Sequence, residues 1–114
     1  MSYSIASLHT GMWQEHLRFP GITMKPLLTR TENALASVNG VRVPFNGVIG
    51  RHQHPEQVET VFVVAGTCFL TLNDEDFALS PGDIVAIPAG LPHALRNAGA
   101  QMVELLTIFT PPLG

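Results

Sequence analysis

The stretch "RHQHPEQVETVFVVAG", Arg51 to Gly66, decides how the chain is read. Two histidines stand two apart, a proline follows the second, and a β-branched run carries the chain on to a glycine. On a strand, residues i and i+2 face the same way. His52 and His54 therefore present their rings on one face, roughly 6–7 Å apart at Cα. That spacing lets two imidazoles converge on one ion. Pro55 cannot donate to a strand ladder and turns the chain. The next strand restarts near Gln57. Alternation puts Gln57, Glu59, Val61 and Val63 on one face, and Val58, Thr60, Phe62 and Val64 on the other. A carboxylate among valines needs a reason, because burying it unpaired is very costly. It is paired, protonated or bound to a cation, and two histidines are at hand. Glu56 competes for that role but sits in the turn after Pro55, where it reaches solvent.

On either side lie further short β-rich runs separated by turn residues. "TMKPLL" (23–28), "LASVNGVRVPF" (35–45), "VIGRHQH" (48–54), "VETVFVV" (58–64) and "TCFLTL" (67–72) read as strands. "FALS" (77–80), "IVAIP" (84–88), "HALRN" (93–97) and "MVELLTIF" (102–109) complete the set. Turns fall at Asn46-Gly47, at Ala65-Gly66 and in "NDED" (73–76). "SPGD" (80–83) meets the demands of a type II turn, and Gly40 reads as a bulge or bend. The fold class is all-β, a sandwich or barrel over residues 23–114. Residues 1–22 form a mixed N-terminal arm. In it "TGMWQEHLRFPG" (10–21) suggests a helical turn stopped at Pro20-Gly21, with Trp13 and Phe19 packing on the body.

A further histidine lies in "GDIVAIPAGLPHALRN" (82–97). Pro88 and Gly90 shape a tight turn that swings His93 back toward the interior. Three neutral imidazoles and a carboxylate suit one divalent transition metal ion, namely Fe, Mn, Ni, Cu or Zn; Ca and Mg prefer oxygen. A histidine in a β protein is more often a hydrogen-bonded packing residue, and H-x-H alone is a moderate signal. That reading leaves Glu59 and the turn before His93 unexplained.

These residues resemble the cupins, specifically the small single-domain kind. The first cupin motif is G, five residues, H-x-H, three or four residues, E, six residues, G. His52, His54, Glu59 and Gly66 match it, with Asn46 standing at the opening glycine. The second is G, five residues, P-x-G, two residues, H, three residues, N, matched at Gly82, Pro88, Gly90, His93 and Asn97. The motifs span residues 46–97 and leave the arm uncovered. The resemblance implies a jelly-roll β-barrel, a single metal held by His52, His54, Glu59 and His93, and a homodimer.

Composition sets further bounds. At 114 residues the chain is one domain, long enough to bury roughly 65% of its unfolded surface. Net charge −3 weighs against nucleic acid as a partner. Charged residues make up 13% and hydrophobic residues 46%, so some apolar surface is expected to be covered, most simply in a homodimer. The single cysteine, Cys68, permits no intramolecular disulfide and reads as a small buried hydrophobe. With no signal-like leader and no apolar run of spanning length, the expectation is a cytoplasmic protein off the membrane.

Cupins include oxygenases, lyases, isomerases and non-catalytic binders, and the fold does not choose among them. Tyr3 and Lys25 are the sole residues of their type, and His9 and His16 lie in the arm. Within the barrel only Glu104, Gln57 and a few arginines remain as polar liners, and no dedicated acid and base is visible. That scarcity favours a non-haem Fe or Mn oxygenase acting on a small organic substrate. The alternatives are a non-redox lyase or isomerase and a small-molecule binding or sensing module. Gln57, Val61, Phe45, Leu95, Glu104 and Met102 are the expected pocket residues, with Val63 and Met24 beside them. Each is as much at home in plain core or on the surface. Arg30 and Arg42 are candidates for greeting an anion at the mouth.

Overall fold

The computed structural model describes residues 2–114. Ten strands follow in chain order, with no helix among the described residues: β1 (Gln14–Glu15), β2 (Thr23–Leu28), β3 (Ser37–Val43), β4 (Val48–His52), β5 (Val58–Ala65), β6 (Cys68–Leu72), β7 (Glu75–Leu79), β8 (Ile84–Ile87), β9 (His93–Arg96) and β10 (Val103–Thr110). They form a six-stranded sheet, β1-β2-β3-β10-β5-β8, and a four-stranded sheet, β4-β9-β6-β7. Every pairing is antiparallel. The result is an all-β jelly roll, and no helix long and apolar enough to cross a membrane occurs among the described residues.

Period-two alternation builds the core. On β10, Val103, Leu105, Thr107 and Phe109 are buried while the residues between them are half-buried. Val41 and Val43 of β3 and Val61 and Val63 of β5 face them from the flanking strands. Leu70, Leu95 and Ile87 join the same cluster. Fully burying one such side chain contributes about 1.5–3 kcal/mol, so this shared interior is the main stabiliser. Cys68 belongs to it at 2% exposure, and burial pushes its thiol up to about 11.

The turns follow the sequence closely. Asp83 N–H donates to the Ser80 carbonyl at 3.0 Å with Gly82 at φ +94°, as a type II turn requires. Asn46 adopts φ +62° in place of the motif's glycine. The "NDED" hairpin is tighter than expected: Leu72 pairs with Glu75 across a two-residue turn.

Two expectations fail. The arm has no helical turn; Gln14 and Glu15 pair with Met24 and Thr23, and His16 N–H donates to the Ile22 carbonyl at 2.8 Å. Gly21, at φ +80°, reverses the chain after Pro20 and makes a hairpin, which so short a segment reaches more readily than a helix. Gly40 is no bulge either, for it pairs regularly with Leu106 and with Lys25. A Cβ there would lie 2.5 Å from Leu8 Cδ1 and 2.8 Å from Trp13 Cη2, so the glycine makes room for the arm. Trp13 then covers the Arg42 guanidinium at 3.8 Å, as its expected packing role requires.

Candidate metal centre and cavity

The two motifs meet in space because β4 and β9 are neighbours. His52 pairs with His93 across that ladder, and Glu59 stands on β5 in the opposite sheet. After Pro55 the chain crosses between sheets, which lets adjacent sequence reach the ion position from two sides. The Pro88-Gly90 turn is fastened to the first motif: Gly90 N–H donates to the His54 carbonyl at 2.8 Å, and Leu91 N–H to the Pro88 carbonyl at 3.2 Å. Asn97, the last motif residue, is structural. Its side-chain amide donates to the carbonyls of Val43 at 3.0 Å and Gln101 at 2.7 Å, and its oxygen accepts from Gly99 N–H.

One ligand atom from each of His52, His54, Glu59 and His93 lies within 4.8 Å of the others, so the four form a group that could hold a metal ion. His52 Nδ1 lies 2.7 Å from the Gly50 carbonyl, and His93 Nδ1 2.9 Å from the Leu91 carbonyl. Only a protonated nitrogen can donate there. The proton is thus fixed on Nδ1 and the Nε2 lone pair is left for an ion. Glu59 Oε1 stands 3.0 Å from His93 Nε2 and 3.5 Å from His54 Nε2. A neutral His93 so arranged sets a lone pair against a carboxylate oxygen, and a cation or a second proton removes the conflict. The donor set therefore fits a divalent transition metal ion.

Electrostatics agree with a site built for charge. Burial pushes the Glu59 carboxyl up, but hydrogen bonds and charges from His54 and His93 outweigh it and hold the group at about 2. His93 is raised, burial being overcome by its bonds to Glu59 and the Leu91 carbonyl. His52 is lowered, chiefly by burial.

The group opens into a cavity of about 400 Å³, lined largely by apolar side chains. Of the expected pocket residues, Val61 and Leu95 line it, as does Met24. The others do not. Phe45 is 61% exposed beyond Pro44, and Met102 is 48% exposed just before β10. Glu104 points out of the barrel to Arg42, its Oε2 accepting from Nε at 3.0 Å. Gln57 is buried but faces a separate recess with Arg30 and Glu56. Arg42, between Trp13 and Glu104, is no mouth residue, and Val63 is sealed in the core.

The arm supplies what the sequence did not reveal: His16, Arg18 and Phe19 line the cavity. The Phe19 ring lies 5.1 Å from that of His52, and the His16 ring 4.9 Å from Phe19. His16 Nδ1 accepts from Arg18 N–H at 3.0 Å, which leaves the neutral ring's proton on Nε2. Burial and the Arg18 charge lower its pKa. The one signal was the Pro20-Gly21 reversal, which returns this segment over the barrel mouth.

A family model described as "Cupin domain" matches residues 40–109, and the chain belongs to that family. It is 30% identical over 70 residues to an uncharacterised protein of Methanocaldococcus jannaschii, matching 61% of this chain and 56% of that one. It is 33% identical over 72 residues to the mannose-1-phosphate guanylyltransferase of Escherichia coli, matching 63% of this chain but only 15% of that protein. Among solved structures, KdgF from Halomonas sp. superposes with a TM-score of 0.84 at 24% identity, covering 96% of this chain and 94% of that one. The polyketide cyclase RemF from Streptomyces resistomycificus superposes with a TM-score of 0.74 at 25% identity, covering 84% and 71%.

Proposed function

We propose that the protein is a metal-dependent enzyme of the lyase or isomerase class, moving a proton on a small organic molecule that carries a chelating pair of oxygens. The observation that carries this reading is His16 in the cavity wall. An oxygenase is favoured when no proton-donating or proton-accepting side chain stands near the metal, and the Nε2–H of His16 is such a donor. His52, His54, Glu59 and His93 would hold the ion, which when bound supplies Lewis-acid polarisation of a substrate carbonyl or enol oxygen. The chain does the rest. Phe19, Val61, Leu70 and Leu105 exclude water and present an apolar wall. A neutral His16, its Nδ1 engaged by Arg18 N–H and its pKa lowered by burial, offers Nε2–H as a hydrogen-bond donor to the oxygen on which charge develops as a proton leaves the neighbouring carbon. The likeness to a polyketide cyclase is compatible with such non-redox chemistry.

The test is hydrogen–deuterium exchange at the carbon beside the carbonyl of 2-oxopentanoate, followed by proton NMR with zinc-loaded protein in D2O. The wild type accelerates exchange, and His16→Phe, which keeps a ring but has no donor, loses about 100-fold of that acceleration while keeping its zinc. No acceleration, or full acceleration by the variant, refutes the reading. The second reading, a non-haem Fe or Mn oxygenase, draws on the same donor set and the apolar lining. Dioxygen uptake by iron-loaded protein, with no exchange in the zinc form, would favour it. A homodimer in the cytoplasm completes the proposal; Tyr3, Ile5 and Met12, at 89%, 90% and 89% exposure, are apolar surface of the kind a second copy covers.

A further inference from the structure

The chain has six lysine and arginine side chains, and five are engaged. Arg42 pairs with Glu104, Arg51 with Asp74 and Arg96 with Asp76. Lys25 donates to the Ser7 carbonyl and Arg30 to the Gly114 carbonyl. Arg18 alone has no carboxylate or carbonyl partner for its guanidinium among the described residues, and it is the one that lines the cavity. Its guanidinium lies 5.4 Å from the centroid of the Phe19 ring, the ring that also packs against His52. A cation over an aromatic face at the mouth of an apolar cavity, in a chain of net charge −3, stands ready for an anion from outside.

We propose that Arg18 is the substrate's anchor: the cavity takes a small organic acid whose carboxylate pairs with the Arg18 guanidinium, while a chelating oxygen pair at its other end meets the four-residue cluster. This rests on the reading of the cavity as the substrate site and names the class of molecule that enters. Carboxylate fits better than phosphate, because a single guanidinium neutralises one negative charge and matches a carboxylate with two parallel hydrogen bonds. The other cavity residues with polar side chains outside the cluster, Asn39, Thr107 and His16, are neutral hydrogen-bonding groups rather than a second cation. About 400 Å³ accommodates an acid of a few carbons within the usual range of ligand sites.

The test compares two probes of equal chain length by isothermal titration calorimetry on the zinc-loaded full chain. 2-Oxoglutarate carries the chelating pair and a distal carboxylate; 2-oxopentanoate carries the chelating pair alone. The wild type is expected to bind 2-oxoglutarate at least about tenfold more tightly. Arg18→Gln abolishes that preference without changing zinc stoichiometry or affinity for 2-oxopentanoate. Arg18→Lys, which keeps charge but loses the planar fork, restores part of it. Equal binding of the two probes by the wild type, or an undiminished preference in Arg18→Gln, overturns the anchor and leaves the cavity reading standing. Failure of both probes to bind the loaded wild type overturns the cavity reading and the anchor together.

Discussion

The amide of Gly90 donates to the carbonyl of His54 at 2.8 Å, so the turn that delivers His93 is hydrogen-bonded to the backbone of another member of the cluster. Gly90 sits at φ +81° with nothing within 4 Å of the place a Cβ would occupy. Gly90→Ala therefore meets no clash, and its cost is backbone strain alone, about 1–2 kcal/mol. Because the strain falls on this turn, zinc affinity should fall along with stability. Thermal unfolding of the zinc-free variant and zinc titration check the two effects separately. Unchanged affinity in a destabilised variant would mean that the turn does not position His93.

His54→Ala tests the cluster itself. His54 lies outside the apolar core, so the barrel should stay folded. Removing a ligand should weaken zinc binding by more than about 100-fold, beyond the usual effect of losing an outer partner. Elemental analysis after dialysis, beside a circular dichroism spectrum, reads both. Full zinc occupancy in the variant would dissolve the four-residue site.

Without metal, pH should expose the Glu59–His93 pair. Glu59 is held at about 2, below its ordinary 4.5, so its contribution to stability is full above 4.5 and is lost as pH falls toward 2. His93 is raised above 6.5, so its contribution is full below 6.5 and is lost as pH rises through the raised value. The pair thus stabilises the metal-free protein most between 4.5 and 6.5. His52 acts in the opposite sense, its lowered pKa reducing stability below 6.5. Glu59→Gln leaves in place the burial that chiefly lowers His52, so the difference in melting temperature between wild type and variant reports the interactions of the Glu59 carboxylate with the surrounding histidines, His93 and His54 foremost. The wild type's advantage should shrink on both sides of the window in calorimetry of chelator-treated protein; a constant difference across pH contradicts it.

The cluster was legible because its geometry is local. An i, i+2 pair on a strand and a proline–glycine turn each dictate where one ring points, whatever the rest of the barrel does. The strands of the core were legible for the same reason, through the alternation in β5 and β10. The cavity wall was not, because it depends on which sheet face closes over which. Phe45 has the same apolar character as Val61, yet it follows Pro44 into a turn and emerges in solvent. Glu104 looked like a pocket acid until β3 placed Arg42 across from it. His16, Arg18 and Phe19 carry no periodic signal at all, and they reach the cavity only because Gly21 folds the arm back.

Gly40→Ala should lift that arm without unfolding the barrel. The new methyl meets Leu8 Cδ1 and Trp13 Cη2, the far ends of two side chains, so the arm can yield while β3 keeps its ladder. Trp13 is the chain's single tryptophan, and its ring now rests on the Arg42 guanidinium. Losing that contact exposes the indole and costs about 0.5–1 kcal/mol. The expected signs are red-shifted fluorescence and faster proteolysis between residues 7 and 21. Binding of 2-oxoglutarate should also weaken, since His16, Arg18 and Phe19 leave the mouth together, while zinc stoichiometry holds because all four cluster residues lie outside the arm. Unshifted emission with intact ligand binding would show that the arm is seated by other contacts, and that the gap at Gly40 is incidental to the site.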